Sequence, residues 1–575
     1  MKDWVEIKEV WLKANKGIPE LVLRWLHLQG FEPDSVAGLY DFDYESGLHD
    51  PMLLPDMEQA VARIIEALSN GEQITIFGDY DADGLPATAL MSAFFDKIGY
   101  KNYDLIIPER NIDGFGMKPS HIDQIVDSGS RLIITVDCGS ASIDAIKQAG
   151  RHEIDVIVTD HHEVPDDFNH DLVVALINPM SAGSKYPYPK ICGATVAFKL
   201  VQAILENLRT DETWQNILED NDVVIGWEKW LLDLVAIATV GDMMPLRDEN
   251  RTLVYYGLKV LNQTRNHGLR ALVDSCQLER GSINETDIAF RLAPRLNAAS
   301  RVGKVQLAID LLTANDPLSA NRLAGELEAL NKERKNTLTQ MVKQAHKKIG
   351  LADDFSNSVL AVGDPSWLPG MCGLLASRMV EEYGVSSFVW GRGQGQQLKG
   401  SCRAADGDDV YQIMSLVEPG VLSGFGGHVG AGGFVLEESV AHQLGEALAH
   451  AKTKFDERTA DSDKPAIENS AEVLQVDPDE LGQDLLTAID KLGPFGIGFP
   501  RPKFQVTCRP TFQSFGKSGD HLKVVISRQL SGVMWRTTID DLSVVEGDQV
   551  RIVSQLEYDS YSKRPRLLIE SIQPD

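Results

Sequence analysis

Residues 74–88 read ITIFGDYDADGLPAT. A run of four residues, Ile74 to Phe77, apolar but for Thr75, leads through Gly78 into Asp79, Asp81 and Asp83, spaced by two. A short apolar run of this kind suits a strand buried on both faces of a parallel sheet. The acids after it suit the rim of an open α/β sheet, where ligands bind beyond the carboxyl ends of the strands. If the backbone stays extended, the spacing of two turns all three carboxylates to one side. Like charges this close repel, so a positive charge is expected among them.

The same pattern continues outward from about residue 56 to 245. MEQAVARIIEAL (57–68) has the period of an amphipathic helix, ATALMSAFFDKIG (87–99) is helical, and DLIIP (104–108) reads as a strand. PSHIDQIVDSG, LIITVD (132–137), ASIDAIKQAG, DVIVTD (155–160) and LVVALIN (172–178) extend the alternation. It predicts βαβ units and a parallel sheet covered on both faces. Further apolar runs also end in acids or imidazoles: LIITV in Asp137, VIVT in Asp160, His161 and His162, and LVAIATVG in Asp242. All four groups are expected at strand ends along one rim.

Hard carboxylates with one or two imidazoles suit Mn²⁺ or Mg²⁺ rather than a thiolate-loving metal. Six or so ligands exceed what one such ion usually takes from protein, so two ions about 3.5–4 Å apart, sharing a carboxylate, are expected. A pair of this kind stabilises the attacking and leaving oxygens of a phosphoryl group and lowers the pKa of a bound water. A lone D-x-D or Asp-His-His is more often a turn or a helix cap. Four such groups in one αβ stretch point to metal.

At 575 residues the chain is too long for one core, and about three domains are expected. The α/β fold is read as a parallel-sheet domain over 56–310 after an N-terminal segment 1–55. A connecting helix over 311–352, a second α/β domain over 353–455, an acidic linker 456–472 and a domain over 473–575 follow. The last carries five strand-like runs, KFQVTC, HLKVVISR, VMWRTT, QVRIVSQLEYD and RPRLLIES, which fit an OB-type β-barrel, a frequent single-strand binder. Six cysteines without a C-x-x-C pair suggest neither a zinc ribbon nor a disulfide framework and fit a reducing cytoplasm. MKDWVEIKEVW has no signal-peptide apolar core, and no apolar run reaches the roughly 18 residues of a membrane helix. The net charge of −29, from 84 acidic against 55 basic residues, argues against non-specific wrapping of duplex nucleic acid. It leaves room for a basic groove on an acidic body.

GDYDADG, TVDCG, TDHH and ATVGDMMPL resemble the four phosphoesterase motifs of the DHH family. GLHDPMLLPDMEQAVARI (47–64), FRLAPRLNAASR (290–301), WLPGMCGLLASR (367–378), LKGSCR (398–403), GFGGHVGAGG (424–433) and LGPFGIGFPRPKF (492–504) resemble signatures of its RecJ branch, in the same order. That branch implies a 5′→3′ exonuclease specific for single-stranded DNA, using a two-metal mechanism to release 5′-mononucleotides in DNA repair and recombination. By the same resemblance Asp79, Asp81, Asp83, Asp137, His161 and Asp242 are metal ligands, with Asp137 the expected bridge and Asp79 a ligand or its neighbour. His162 contacts the scissile phosphate or passes a proton to the leaving oxygen, and Asp160 orients an imidazole.

Substrate handling follows from the same resemblance. Ser377, Arg378, Lys399, Ser401, Arg403 and His428 would line the cleft opposite the metals, with Gly426 and Gly427 letting backbone N–H groups approach a phosphate. Arg110, Arg295 and Arg301 suit a bidentate clamp on the 5′-terminal phosphate, although a surface ion pair would account for any one of them. In the OB-type domain Phe515, Lys517, His521, Lys523, Trp535, Lys563 and Arg564 interleave aromatic and basic groups, as base stacking along a cationic groove requires. Core packing accounts for Trp535 equally well. Single-stranded DNA with a 5′ end is the implied partner, with a single-strand-binding protein and a RecQ-type helicase expected from the family. The chain is expected to be a monomer.

Four positions depart from the family pattern. Leu368 stands where a histidine is usual, Ser300 where a glycine follows Asn-Ala-Ala, and Phe499 where an asparagine precedes the proline. Pro86 enters the loop expected before the first helix. Two other readings stand beside the exonuclease. One is a DHH phosphodiesterase acting on short oligonucleotides or cyclic dinucleotides, against which residues 473–575 count. The other is a non-catalytic DNA-binding scaffold, against which the intact acids at 81, 83, 137 and 242 count.

Overall fold

The computed structural model describes residues 4–350, 359–393, 397–459, 473–516, 519–559 and 562–575. The chain divides into two compact units, Leu48–Met244 with Asp248–Ile467, and Met1–Gly47 with Pro245–Arg247 and Glu468–Asp575.

In the larger unit five parallel strands form one sheet: β1 (Ile74–Gly78), β2 (Tyr103–Ile106), β3 (Leu132–Val136), β4 (Asp155–Thr159) and β5 (Ala175–Ile177), in the order β2-β1-β3-β4-β5. Every residue of β1 and β3 is buried, as continuous apolar runs in a sheet covered on both faces should be. Helices α1 (Met57–Asn70), α2 (Gly84–Lys97), α3 (Pro119–Asp127) and α4 (Ile143–Arg151) alternate with the strands. The run 172–178 gives a shorter strand than expected. His170–Leu172 is a 3₁₀ turn, and β5 lies at the sheet's edge, where the Leu176 N–H donates to the Asp56 carboxylate at 3.0 Å.

Two local expectations are corrected. LVAIATVG is not a strand: Leu232–Gly241 is helix α6, lying between α5 (Gly193–Leu208) and α7 (Asp248–Leu261), so Asp242 caps a helix C-terminus. Its eight residues Leu232–Thr239 are all buried, and a helix apolar on every side shows no period by which to distinguish it from a buried strand. Pro86 lies inside α2, in its first turn, where the missing N–H has no intrahelical partner to lose.

Helix α8 (Ala293–Arg301) precedes the 33-residue α9 (Pro317–Ile349), the expected connector. A second sheet follows: β6 (Val359–Gly363), β7 (Ser386–Arg392), β8 (Leu398–Arg403), β9 (Leu422–His428) and β10 (Ala431–Leu436), in the order β6-β7-β8-β10-β9. Helices α10 (Pro369–Tyr383) and α11 (Leu444–Thr459) pack on it, α11 extending into the expected linker, whose residues 460–472 lie outside the described ones.

Among its described residues the smaller unit has seven strands where five are read from the sequence. They are β11 (Leu474–Gln475), β12 (Lys503–Cys508), β13 (Thr511–Phe515), β14 (His521–Val525), β15 (Ser531–Met534), β16 (Val550–Asp559) and β17 (Arg564–Pro574). Their order is β11-β12-β16-β17-β15-β14-β13. The departure at Phe499 has a packing reason: its ring meets Trp25 edge-on at 5.2 Å and stacks on Phe495 at 5.7 Å, filling an aromatic cluster with Phe31. No helix among the described residues is long and apolar enough to cross a membrane.

Candidate metal centre and substrate cleft

The turn from β1 into α2 delivers the first three acids. It is not extended. Asp83 is already αR, and the Asp81 carboxylate accepts from the N–H groups of Asp83 (2.9 Å) and Gly84 (3.1 Å), closing the first turn of α2. The three carboxylates therefore part instead of lining up: Asp79 and Asp81 group with Asp137, and Asp83 groups with His161 and Asp242. A side chain at Gly84 would strike the Asp79 backbone at 2.5 Å, so the turn depends on that glycine.

Asp137 follows β3 in the left-handed region, φ 60°, a conformation that costs a non-glycine residue energy and clusters at functional sites. Its N–H donates to Thr159 O at 3.0 Å, tying it to β4. After β4, Asp160 is buried and accepts from the N–H groups of Ser140 (2.9 Å), His161 (2.8 Å) and His162 (3.2 Å), and pairs with His162 Nδ1 at 2.8 Å. Burial works against its charge, but the hydrogen bond and charge of His162 hold Asp160 well below the usual carboxylate range. Reciprocally, burial pulls His162 down, yet Asp160 holds it up at about 9. The Phe115 ring lies 5.0 Å from that of His162.

His161 Nε2 sits 3.2 Å from Asp137, 3.6 Å from Asp83 and 3.7 Å from Asp242. Burial lowers its pKa, so the imidazole is neutral and able to act as a ligand. Ligand atoms of Asp79, Asp81 and Asp137, of Asp83, His161 and Asp242, and of Asp137, His161 and His162 lie within 4.8 Å of one another in each trio. Asp79 Oδ1 and Asp137 Oδ1 are buried without a hydrogen-bond partner. Burial raises Asp79, Asp83, Asp137 and Asp242, and repulsion between the carboxylates adds to it. Asp242 reaches about 9. Orphaned carboxylate oxygens, repelling acids and a neutral imidazole fit two hard divalent cations, with Asp137 belonging to two of the three trios.

Several contributors were not legible as functional residues. The N–H groups of Gly193 and Ala194, at the start of α5, donate to Asp83 at 2.6 and 2.8 Å. A Cβ at Gly193 would lie 2.5 Å from that of Asp137, so only glycine lets the helix end reach both acids. At Gly241, the end of α6, a Cβ would lie 2.9 Å from that of Ala82. Asn178 donates to His162 O (2.8 Å) and Ser140 Oγ (3.0 Å). Asn-Pro after an edge strand reads as a turn, and glycines before helices read as caps; neither pattern announces these contacts.

Beyond the acids lies a cationic cluster. Arg301 is pushed down to about 9 by burial and by Arg110, Arg334 and Arg403, against the pull of Asp81. Arg110 lies over the Tyr80 ring at 5.0 Å. Arg334, on α9, did not stand out in the sequence; its buried Nε has no hydrogen-bond partner. Arg295 is elsewhere engaged, in an ion pair with Glu328 and a 2.8 Å bond to Arg291 O. Arg378 pairs with Glu381 (3.2 Å) and Glu382 (2.6 Å), and Ser377 Oγ bonds its own helix at Gly373 O. Lys399, Ser401 and Arg403 lie on β8, while Gly426, Gly427 and His428 lie on the exposed edge strand β9. No hydrogen bond or ion pair among the described residues joins His428 to the acids. Leu368, 42% exposed, precedes α10 without a capping bond, and Ser300 is buried and bonds Asn297 O.

In the smaller unit Trp535 is 47% exposed and packs with His521 at 5.0 Å and Phe515 at 5.6 Å, a surface trio rather than a core residue. Lys523 is exposed on β14, and Lys563 and Arg564 are exposed at the start of β17; Lys517 lies outside the described residues.

The comparisons with known proteins agree with this geometry. Residues 73–239 match the model of the DHH family, N-terminal domain, and residues 474–571 that of the RecJ OB domain. The chain is 31% identical over 571 residues to the single-stranded-DNA-specific exonuclease RecJ of Bacillus subtilis, covering 97% of this chain and 68% of that protein. With the Escherichia coli protein of the same name it is 32% identical, covering 82% and 81%. The crystal structure of Thermus thermophilus RecJ in complex with Mn²⁺ superposes with a TM-score of 0.77 at 26% identity, covering 100% of this chain and 78% of that one, and its Mg²⁺ complex with 0.73 at 26%, covering 98% and 77%. The chain belongs to the RecJ family of DHH phosphoesterases.

Proposed function

We propose that this protein is a metal-dependent exonuclease that degrades single-stranded DNA from a 5′ end and releases 5′-mononucleotides. The observation that carries the reading is the convergence of seven side chains from four separate sequence motifs into three ligand trios linked through Asp137 and His161. Asp79, Asp81, Asp83, Asp137, His161 and Asp242 would hold two Mn²⁺ or Mg²⁺ ions, which supply charge for the developing phosphoryl oxygens and an activated water. The chain's own groups do the rest. Asp160 fixes His162 through Nδ1, leaving Nε2 to hold a proton for the leaving 3′ oxygen. The α5 N-terminus fixes Asp83.

Arg110, Arg301 and Arg403 supply the 5′ polarity by clamping a terminal phosphate, with Lys399 and Ser401 beside Arg403 on β8 and Gly426, Gly427 and His428 holding the strand that follows. Arg295 and Arg378 already have carboxylate partners and are given structural roles. Lys523 and Trp535 guide single-stranded DNA on the OB domain. The RecJ OB domain argues against an enzyme confined to cyclic dinucleotides, and the complete acid set argues against a silent scaffold. The proposal includes cytoplasmic action as a monomer in repair and recombination, with a single-strand-binding protein and a RecQ-type helicase as partners. The domains in this reading run over 56–310, 311–352, 353–455 and 473–575.

A 5′-phosphorylated single strand carrying a 3′ label tests it. With Mn²⁺ the labelled strand should shorten stepwise from its unlabelled end, and the matching duplex should persist. Immediate release of the label as a mononucleotide, or equal attack on duplex, would refute the reading.

A further inference from the structure

The phosphate-clamping arginines come from two sheet layers of the larger unit: Arg110 and Arg301 from around the parallel sheet, Arg403 from the second sheet. Something must set their spacing. The first turn of α10 lies between them. Asn111, next to Arg110, accepts the Gly370 N–H on Oδ1 at 3.2 Å and donates from Nδ2 to Arg301 O at 3.3 Å. Arg301 closes the ring by donating from Nη1 to Gly370 O at 2.9 Å. One turn further along the helix, Gly373 faces Arg403, whose Nη2 lies 3.2 Å from where a Cβ would stand. At Gly370 a Cβ would meet Arg301 O and Asn111 Oδ1, each at 2.9 Å. Both contacts need a helix face without side chains.

We infer that Gly370, Gly373 and Asn111 are positioning residues for recognition of the terminal phosphate: bare α10 backbone acts as a spacer that sets Arg301 and Arg403 at the separation a phosphate monoester requires. The inference rests on the reading of Arg110, Arg301 and Arg403 as the 5′-phosphate clamp. It gives the interlock a role that fold maintenance alone does not require. A bidentate clamp depends on geometry, and a displacement of about 1 Å is enough to lose much of a positioning effect. An added methyl at Gly370 must move Arg301 or the helix by several tenths of an ångström.

The test compares 5′-phosphorylated with 5′-hydroxyl single strands of one sequence, as a ratio of kcat/KM, for wild type, Gly370→Ala, Asn111→Ala and Gly325→Ala. Gly325 lies on α9 with open space around it and serves as the control. The wild type and the control should prefer the phosphorylated end. Gly370→Ala and Asn111→Ala should lose about tenfold of that preference, mostly through KM for the phosphorylated strand. Parallel loss on both strands with the ratio intact would mean a purely structural role and overturn the inference while leaving the clamp standing. Absence of any preference in the wild type would instead overturn the clamp itself, and the inference with it. Asn111→Ala adds no atom against helix α10, so the ratio remains readable if Gly370→Ala fails to fold.

Discussion

At the residue scale the acids behave as a set. Asp242 is held up at about 9, first by burial and then by Asp83, so in the metal-free protein it keeps a proton at pH 7. A cation that takes this carboxylate displaces the proton. Mn²⁺ binding should therefore release protons at pH 7 and tighten as pH rises towards 9. Calorimetry in buffers of different ionisation heat reads the release, and a binding heat independent of buffer would contradict it. All seven groups were legible as residue types at the ends of apolar runs. Their grouping was not, because it depends on where the turn between Asp79 and Gly84 bends. Arg295 shows the opposite limit: a local sequence cannot reveal that Glu328, 33 positions away, is its partner.

At the scale of elements, glycines and helix ends do the positioning. Gly193→Ala places a methyl 2.5 Å from the Asp137 Cβ and should lower kcat by about a hundredfold or more, beside an overpacking cost of about 1–3 kcal/mol in stability. Steady-state kinetics beside a thermal melt would check it. A second element-scale prediction concerns Lys199 and Glu249, fully buried on α5 and α7 and 2.9 Å apart, with Lys199 also donating to His49 O at 2.6 Å. Lys199→Met alone should cost about 3–5 kcal/mol by leaving Glu249 uncompensated, whereas Lys199→Met with Glu249→Leu should recover much of that. Denaturant unfolding of the three proteins measures it. The alternation of strands and helices was readable because buried parallel strands and amphipathic helices differ in period. Helix α6 was misread for the same reason, being apolar on every side.

At the scale of the whole molecule, the chain forms two compact units. In the smaller one, Phe515, His521 and Trp535 form a surface trio that suits stacking of bases. Trp535→Ala should weaken binding of single-stranded DNA by about 1–3 kcal/mol in an anisotropy titration. The salt dependence should not change, because no charge is removed. Five of its seven strands were readable; β11 is two residues long and β13 follows β12 too closely to stand out by period. In the larger unit the central claim is that distant motifs build one centre for two cations. Counting Mn²⁺ bound per chain by equilibrium dialysis tests it most directly. The account predicts two ions for the wild type and loss of tight binding for both in Asp137→Ala, the carboxylate common to two of the ligand trios. A wild type that binds no more than one ion, or an Asp137→Ala protein that still binds two, would contradict it.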